Sequence, residues 1–200
     1  MDTNTEHTAA LKTSIRKTMR ARRRMLSEQD RAFASRELNQ QLHKSGLLAK
    51  SQHLGLYIGN DGELDPSPAI PSLSRLGISC YLPRICDLGG KTMHFAKYST
   101  GQALSKNRFG IPEPSRKVSR VLPTFLLSTV LVPLVAFDLE GNRLGMGGGF
   151  YDRLFNRKRV KRKPRLIGIA YEFQRANHLP TESWDIPLDG VMTEKSFYRF

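Results

Sequence analysis

The residues best suited to chemistry are concentrated in RLGMGGGFYD, Arg143 to Asp152. Four of the five residues from Gly145 to Gly149 are glycine, with Met146 between them. Glycines let several backbone N–H groups converge on one anion, because no side chain holds the ligand away. Arg143, just before Leu144, offers a planar fork that can grip two phosphate oxygens at once. Asp152 stands where a carboxylate could hold a magnesium ion bridging those oxygens. It could equally complement the dipole at the start of a helix. Phe150 and Tyr151 offer a stacking face or two core rings. The spacing is neither the dinucleotide fingerprint nor the P-loop, since no Gly-Lys-Ser/Thr follows. Taken alone, the loop reads either as a flexible turn or as a phosphate site.

A second cationic group lies near the N-terminus. Lys12 and Arg16 are one helical turn apart, so they share a face and can meet one anion, or simply form a solvated face. The five histidines show no ligand spacing, and Cys80 and Cys86 make neither a metal motif nor a disulfide framework.

Elements to position these residues can be read from the periodicity. Leu11, Ile15 and Met19 recur every fourth residue and predict a first helix. Ser27 with Asp30 reads as a capping box, Ala34, Leu38 and Leu42 as the stripe of a second helix, and Gly46 as its end. Residues 53–58, 78–83 and 93–98 are short, rich in branched and aromatic side chains, and bounded by turn signals, so they predict strands. Residues 129–137 and 165–173 are nearly continuous apolar runs, as doubly buried strands should be. Helical stretches are expected over 69–76 and from Tyr151 onward. The mixture predicts an α/β domain with a mainly parallel sheet and helices on both faces, without repeat or linker. Residues 1–200 are read as one domain, with 1–10 as a flexible N-terminal extension.

The chain has 200 residues and carries a formal net charge of +14. No run approaches the roughly 20 apolar residues of a membrane span. The polar start and the two cysteines fit a reducing cytoplasm. The charge suits an anionic partner: nucleic acid, nucleotide or an acidic metabolite. Arg157 to Arg165, RKRVKRKPR, holds seven basic residues, and without it the net charge falls to +7. Arg16 to Arg24 is a second basic cluster.

LVPLVAFDLEGNRLGMGGGFYDR resembles the signature of the 5-formyltetrahydrofolate cyclo-ligase family. KTSIR (Lys12 to Arg16), LYIGNDGELD, YLPRI, FGIPEP and PLDGVMTE resemble further family segments in the same order, from about Lys12 to Glu194. The resemblance implies a three-layer α/β/α sandwich with a mainly parallel open sheet. It implies ATP- and magnesium-dependent cyclisation of 5-formyltetrahydrofolate to 5,10-methenyltetrahydrofolate. ATP contacts are implied at Lys12, Thr13, Ser14, Ile15, Arg16, Arg143, Leu144, Gly145, Met146, Gly147, Gly148, Gly149, Phe150 and Tyr151. Substrate contacts are implied at Ile58, Glu63, Met146, Gly147, Gly148, Gly149 and Phe150, with Glu63 receiving the donor edge of a pterin ring. Arg143 is the expected catalytic cation, and Asp152 and Asp189 are the expected magnesium ligands. Glu63 could instead be a plain loop carboxylate, and Asp189 a turn former before Gly190.

Two departures stand out. Many members carry a lysine where this chain has Gly148, and LDPSPAI after Glu63 replaces a short threonine-containing turn. The expected partners are ATP and a folate, possibly polyglutamylated, with no nucleic acid or membrane. The oligomeric state is open, with a monomer the default. A rival reading is an RNA-binding module using the two basic clusters, although no RNA-reading signature is present. A third is a related nucleotide-dependent enzyme with another formyl substrate.

Overall fold

The computed structural model describes residues 3–49, 51–86, 92–116, 119–156 and 164–200. Two helices open the chain, α1 (Thr3–Met25) and α2 (Glu28–Lys44). The expected capping box is present: Ser27 Oγ accepts from the N–H of Asp30, and the Asp30 carboxylate accepts from the N–H of Ser27. Gly46 follows with φ +69°, the left-handed turn a glycine admits freely. Helix α1 begins at Thr3, so most of the residues read as an N-terminal extension belong to it.

The remaining elements are β1 (His53–Gly55), α3 (Ile70–Arg75), β2 (Ser79–Ile85), β3 (Met93–Tyr98), β4 (Leu104–Lys106) and β5 (Pro112–Pro114). They are followed by β6 (Val121–Leu122), β7 (Thr129–Pro133), β8 (Ala136–Phe137), β9 (Arg143–Leu144), α4 (Phe150–Leu154), β10 (Arg165–Ile169), β11 (Gly190–Met192) and β12 (Phe197–Arg199). Eight strands form one sheet in the order β12-β11-β10-β7-β1-β2-β3-β6. Its centre, from β11 through β10, β7 and β1 to β2, is parallel, and β12, β3 and β6 are antiparallel. The α/β expectation holds, with mixed rather than purely parallel edges.

Alternation along the strands splits the core between the two faces. Leu131, Ile167 and Ile169 pack with Leu38, Leu42 and Leu73 from α2 and α3. Val130, Val132 and Leu166 pack on the other side with Phe95, Phe155 and, half-buried, Tyr151 of α4. Residues 129–137 do not form one strand: β7 stops at Pro133, and β8 pairs antiparallel with β9 as a separate hairpin. A proline cannot donate to the ladder, which helps end the strand. That break matters, because it carries the glycine loop away from the sheet. Among the described residues, no helix is long and apolar enough to cross a membrane.

Candidate active site

The site gathers beyond the carboxyl ends of β1 and β7, where open α/β sheets commonly bind ligands. Three pieces meet there: the loop after β1, the glycine loop after β9, and α1 laid across both. Ile15 and Met19 of α1 pack, half-buried, on Ala136, Leu144 and Leu179, which brings α1 against the β8–β9 hairpin.

From that helix Arg16 reaches the glycine loop, its Nε donating to the Gly145 carbonyl at 2.8 Å. Its Cζ lies 3.8 Å from where a Cβ on Gly147 would stand, and Gly147 has φ +91°. Burial lowers the pKa of Arg16, against the attraction of Asp185. Lys12 meets Asp185 Oδ2 at 3.3 Å and Glu182 Oε1 at 3.7 Å. The loop's own polar groups divide in a telling way. The carbonyls of Gly145 and Gly148 accept from Arg16 and Arg153. Among the described residues, no backbone N–H from Gly145 to Gly149 has a protein partner.

Behind the loop sits Arg143, its side chain only 5% exposed. Its Nη2 donates to Asp152 Oδ1 at 2.6 Å, and its Nη1 donates to the Ile186 carbonyl. Asp152 Oδ1 also accepts from the Ile186 N–H at 3.3 Å. Arg143 is thus already bonded on two sides. Asp185 immediately precedes Ile186, so its backbone adjoins this network while its carboxylate faces Lys12. Helix α4 is only five residues long, so the charge it adds at the loop is small.

The loop after β1 carries Glu63 to the same region. Gly62, at φ +73°, lets it pass close to α1, with its missing Cβ only 3.1 Å from the Arg23 carbonyl oxygen. Arg23 is fully buried: Nη2 meets Asp61 Oδ2 at 3.2 Å, Nη1 donates to the Leu134 carbonyl at 3.4 Å, and Nη1 lies 3.8 Å from Glu63 Oε1. Glu63 also accepts from the Asn60 N–H. Burial pushes the Glu63 carboxyl up to about 7, against the pull of Arg23 and that N–H. Burial also pushes Asp61 up, but hydrogen bonds from Arg20 and Arg24 outweigh it and hold Asp61 below its usual range. The Tyr151 hydroxyl is buried with no hydrogen-bond partner among the described residues. Burial raises its pKa, and the nearby Glu63 charge raises it further. Glu63, Asn60 and Asp61 line a cleft of about 590 Å³ that Arg31 and Arg36 of α2 close on the far side.

The sequence profile of the 5-formyltetrahydrofolate cyclo-ligase family matches residues 8–194. This chain belongs to that family. It is 36% identical over 183 residues to the 5-formyltetrahydrofolate cyclo-ligase of Escherichia coli (strain K12), covering 91% of this chain and all of the relative. It is 38% identical over 192 residues to the enzyme of that name from Haemophilus influenzae, covering 94% and 98% of the two chains. The solved Aquifex aeolicus 5,10-methenyltetrahydrofolate synthetase superposes with a TM-score of 0.80 at 35% identity, covering 94% of this chain and 92% of that one.

Most residues that the cyclo-ligase resemblance selects do converge. Lys12, Arg16, Arg143 and Gly145 to Tyr151 surround the loop, and Glu63 approaches it through Tyr151. Met146 is half exposed, and Phe150 packs edge-on against Phe109 of FGIPEP, 6.1 Å between centroids. Thr13 and Ser14 lie on the exposed side of α1, with Thr13 Oγ1 bonded back to Ala9. Ile15 and Leu144 are packing residues beneath the loop. Ile58, half-buried, packs on the core beside α2 and α3. Asp189 stands apart: its Oδ2 accepts from the Leu166 N–H, at the amino end of β10.

Three residues in and around this candidate site escaped sequence reasoning. Arg23 was hidden in a basic run, although it is the next fourth residue after Leu11, Ile15 and Met19 and so falls on the inward stripe. Asp185 lies four residues before Asp189, and its signal is only a carboxylate beside Trp184. Gln174, buried, donates to the carbonyls of Leu134 and Val135 just past the end of β7, at 3.1 and 2.7 Å. Of the basic run 157–165, only Pro164 and Arg165 fall within the described residues.

Proposed function

We propose that this chain uses ATP and magnesium to convert 5-formyltetrahydrofolate to 5,10-methenyltetrahydrofolate. The observation that carries the reading is the glycine loop, its N–H groups without a partner among the described residues and arginines around it, facing Glu63 across Tyr151. Unpartnered N–H groups beside guanidinium cations suit the phosphates of a nucleotide. A buried carboxylate suits the paired donors of a pterin edge. Membership of the 5-formyltetrahydrofolate cyclo-ligase family supports joining these two halves in one reaction.

A formamide is a poor electrophile, because its nitrogen lone pair stabilises the carbonyl. In the proposed reaction the formyl oxygen attacks the γ-phosphorus, and the bond to ADP breaks. The neighbouring amine nitrogen then attacks the formyl carbon, loses its proton to solvent, and phosphate leaves with the former formyl oxygen. The protein positions the oxygen in line, offsets charge and excludes water. Arg16 and the loop N–H groups hold phosphates. Arg143 steadies charge from behind the loop, and Glu63 fixes the ring.

Magnesium takes hard oxygen ligands and usually only one or two carboxylates. Asp152 and Asp185 fit that need, since one precedes the residue whose N–H the other accepts, and both lie beside the loop cations. Magnesium there would lower the negative charge of the nucleotide's phosphates. The Asp189 carboxylate, bonded at the amino end of β10, takes no part in this assignment.

The test is absorbance at the methenyl product's band, with purified protein, 5-formyltetrahydrofolate, and ATP or magnesium omitted in turn. Product should form only when both are present. Equal turnover without ATP would refute the reading.

A further inference from the structure

Arg153 has no role in the reaction as set out above. Its N–H bonds the Gly149 carbonyl at 3.1 Å, so it lies one turn after the loop. The side chain folds back over that turn. Its Nη2 donates to the Gly148 carbonyl, its Nη1 lies 2.8 Å from where a Cβ on Gly149 would stand, and its guanidinium lies 5.5 Å from the Phe150 ring centroid. Arg16 makes the matching contact at the other end, on Gly145 and beside Gly147. Two guanidinium groups from separate helices therefore bracket one five-residue loop.

In this chain the carboxyl end of the loop is glycine and carries no cation of its own. A Cβ on Gly148 would come within 2.9 Å of Phe150 Cδ2, and one on Gly149 would meet Arg153 itself. Positive charge at that end comes from a neighbouring element, through Arg153. Arg153 is exposed, so an anion can reach it without opening the fold. Arg143, held by Asp152 behind the loop, adds a third guanidinium to this region.

We infer that Arg153 is a catalytic residue: it contacts the transferring phosphoryl group at the Gly148–Gly149 end, while Arg16 holds the nucleotide's other phosphates at the Gly145–Gly147 end. This rests on the ATP-dependent reading. As the formyl oxygen–phosphorus bond forms and the bond to ADP breaks, Arg153 stays protonated. Its N–H groups offset charge on the three non-bridging oxygens.

Arg153→Gln, Arg153→Lys and Arg16→Gln are compared with wild type in the absorbance assay. Arg153→Gln should lower kcat about tenfold or more, with the folate KM within about twofold. Arg153→Lys should keep more of the rate than Arg153→Gln, and Arg16→Gln should act mainly on the ATP KM. A binding readout separates contact from mere support. ADP with aluminium fluoride and magnesium, a stand-in for the group in flight, should raise the wild-type Tm beyond ADP alone, and should lose that extra rise in Arg153→Gln. If Arg153→Gln folds poorly, the same comparison on Arg153→Lys decides, with a reduced extra rise expected. A normal kcat or an undiminished extra rise in a folded variant overturns the inference while leaving the ATP reading standing. A wild type indifferent to ATP overturns both.

Discussion

Glu63 is a carboxylate held from water beside a fully buried arginine, and two opposing effects set its charge. Burial favours the neutral acid and Arg23 favours the ion, with the balance near pH 7. If the pterin edge needs the ion, kcat/KM for folate should rise with pH through about 7 and level above it. Glu63→Gln should flatten that rise and lift the folate KM far more than the ATP KM. A wild-type profile flat from pH 6 to 8 would contradict the role. The stability effect has the opposite sense. The folded pKa lies above the unfolded one, so the folded state binds more protons between about 4.5 and 7, and stability falls as pH rises through that window. Glu63→Gln should therefore have its largest relative Tm gain above pH 7. Arg143 acts differently, since it holds both Asp152 and the Ile186 carbonyl. Arg143→Ala should lower turnover and also stability, by about 1–3 kcal/mol for a buried charge-assisted network with one end partly exposed. A Tm equal to wild type would show that the pair does not hold the site together.

At the scale of elements, the glycine loop and the strand ends obey different constraints. Gly147 has positive φ but open space apart from Arg16, so Gly147→Val meets backbone strain of about 1–3 kcal/mol rather than a core clash. The fold should survive while the N–H groups lose their alignment. Calorimetry should show ATP binding abolished, and normal ATP affinity would place the nucleotide away from this backbone. Gly168 in β10 is the converse. A Cβ there would lie 2.6 Å from Leu134 Cδ2 and 2.7 Å from Leu188 Cδ1. Gly168→Ala should cost about 1–3 kcal/mol by overpacking, with ATP and folate KM values unchanged. An unchanged Tm would mean that those leucines move aside freely.

Across the whole molecule, the +14 charge divides into arginines with fixed partners and a solvated remainder. Arg16, Arg20, Arg23 and Arg24 are committed to Gly145, Asp61 or Glu63, so much of the first basic cluster is internal wiring rather than a nucleic-acid face. The second cluster lies largely outside the described residues. Seven like charges repel one another, and in the proposed reaction they would attract ATP and an acidic folate tail over a Debye length of about 8 Å at physiological salt. Replacing Lys158, Lys161 and Lys163 by glutamine should leave kcat unchanged, lower kcat/KM at low salt, and lose that difference as salt rises. A large fall in kcat would put the run inside the site.

The amino-acid sequence by itself determined the elements with strong local signals: the capping box at Ser27, the stripes of α1 and α2, the apolar core strands and the glycine loop. These depend on periodicity and on residues with special backbone freedom, which act over a few positions. It also determined the family, because the ordered motifs span most of the chain. Only the tertiary structure decided the antiparallel edge strands and the break at Pro133, since strand pairing is set by partners far along the chain. It also decided which charges meet. Arg23, buried against Asp61 and Glu63, and Asp185, paired with Lys12, are long-range pairings that no local pattern specifies. A charged side chain looks alike in sequence whether solvated or buried. Its environment, and with it the difference between a surface acid and a carboxyl raised to about 7, exists only once distant elements have packed around it.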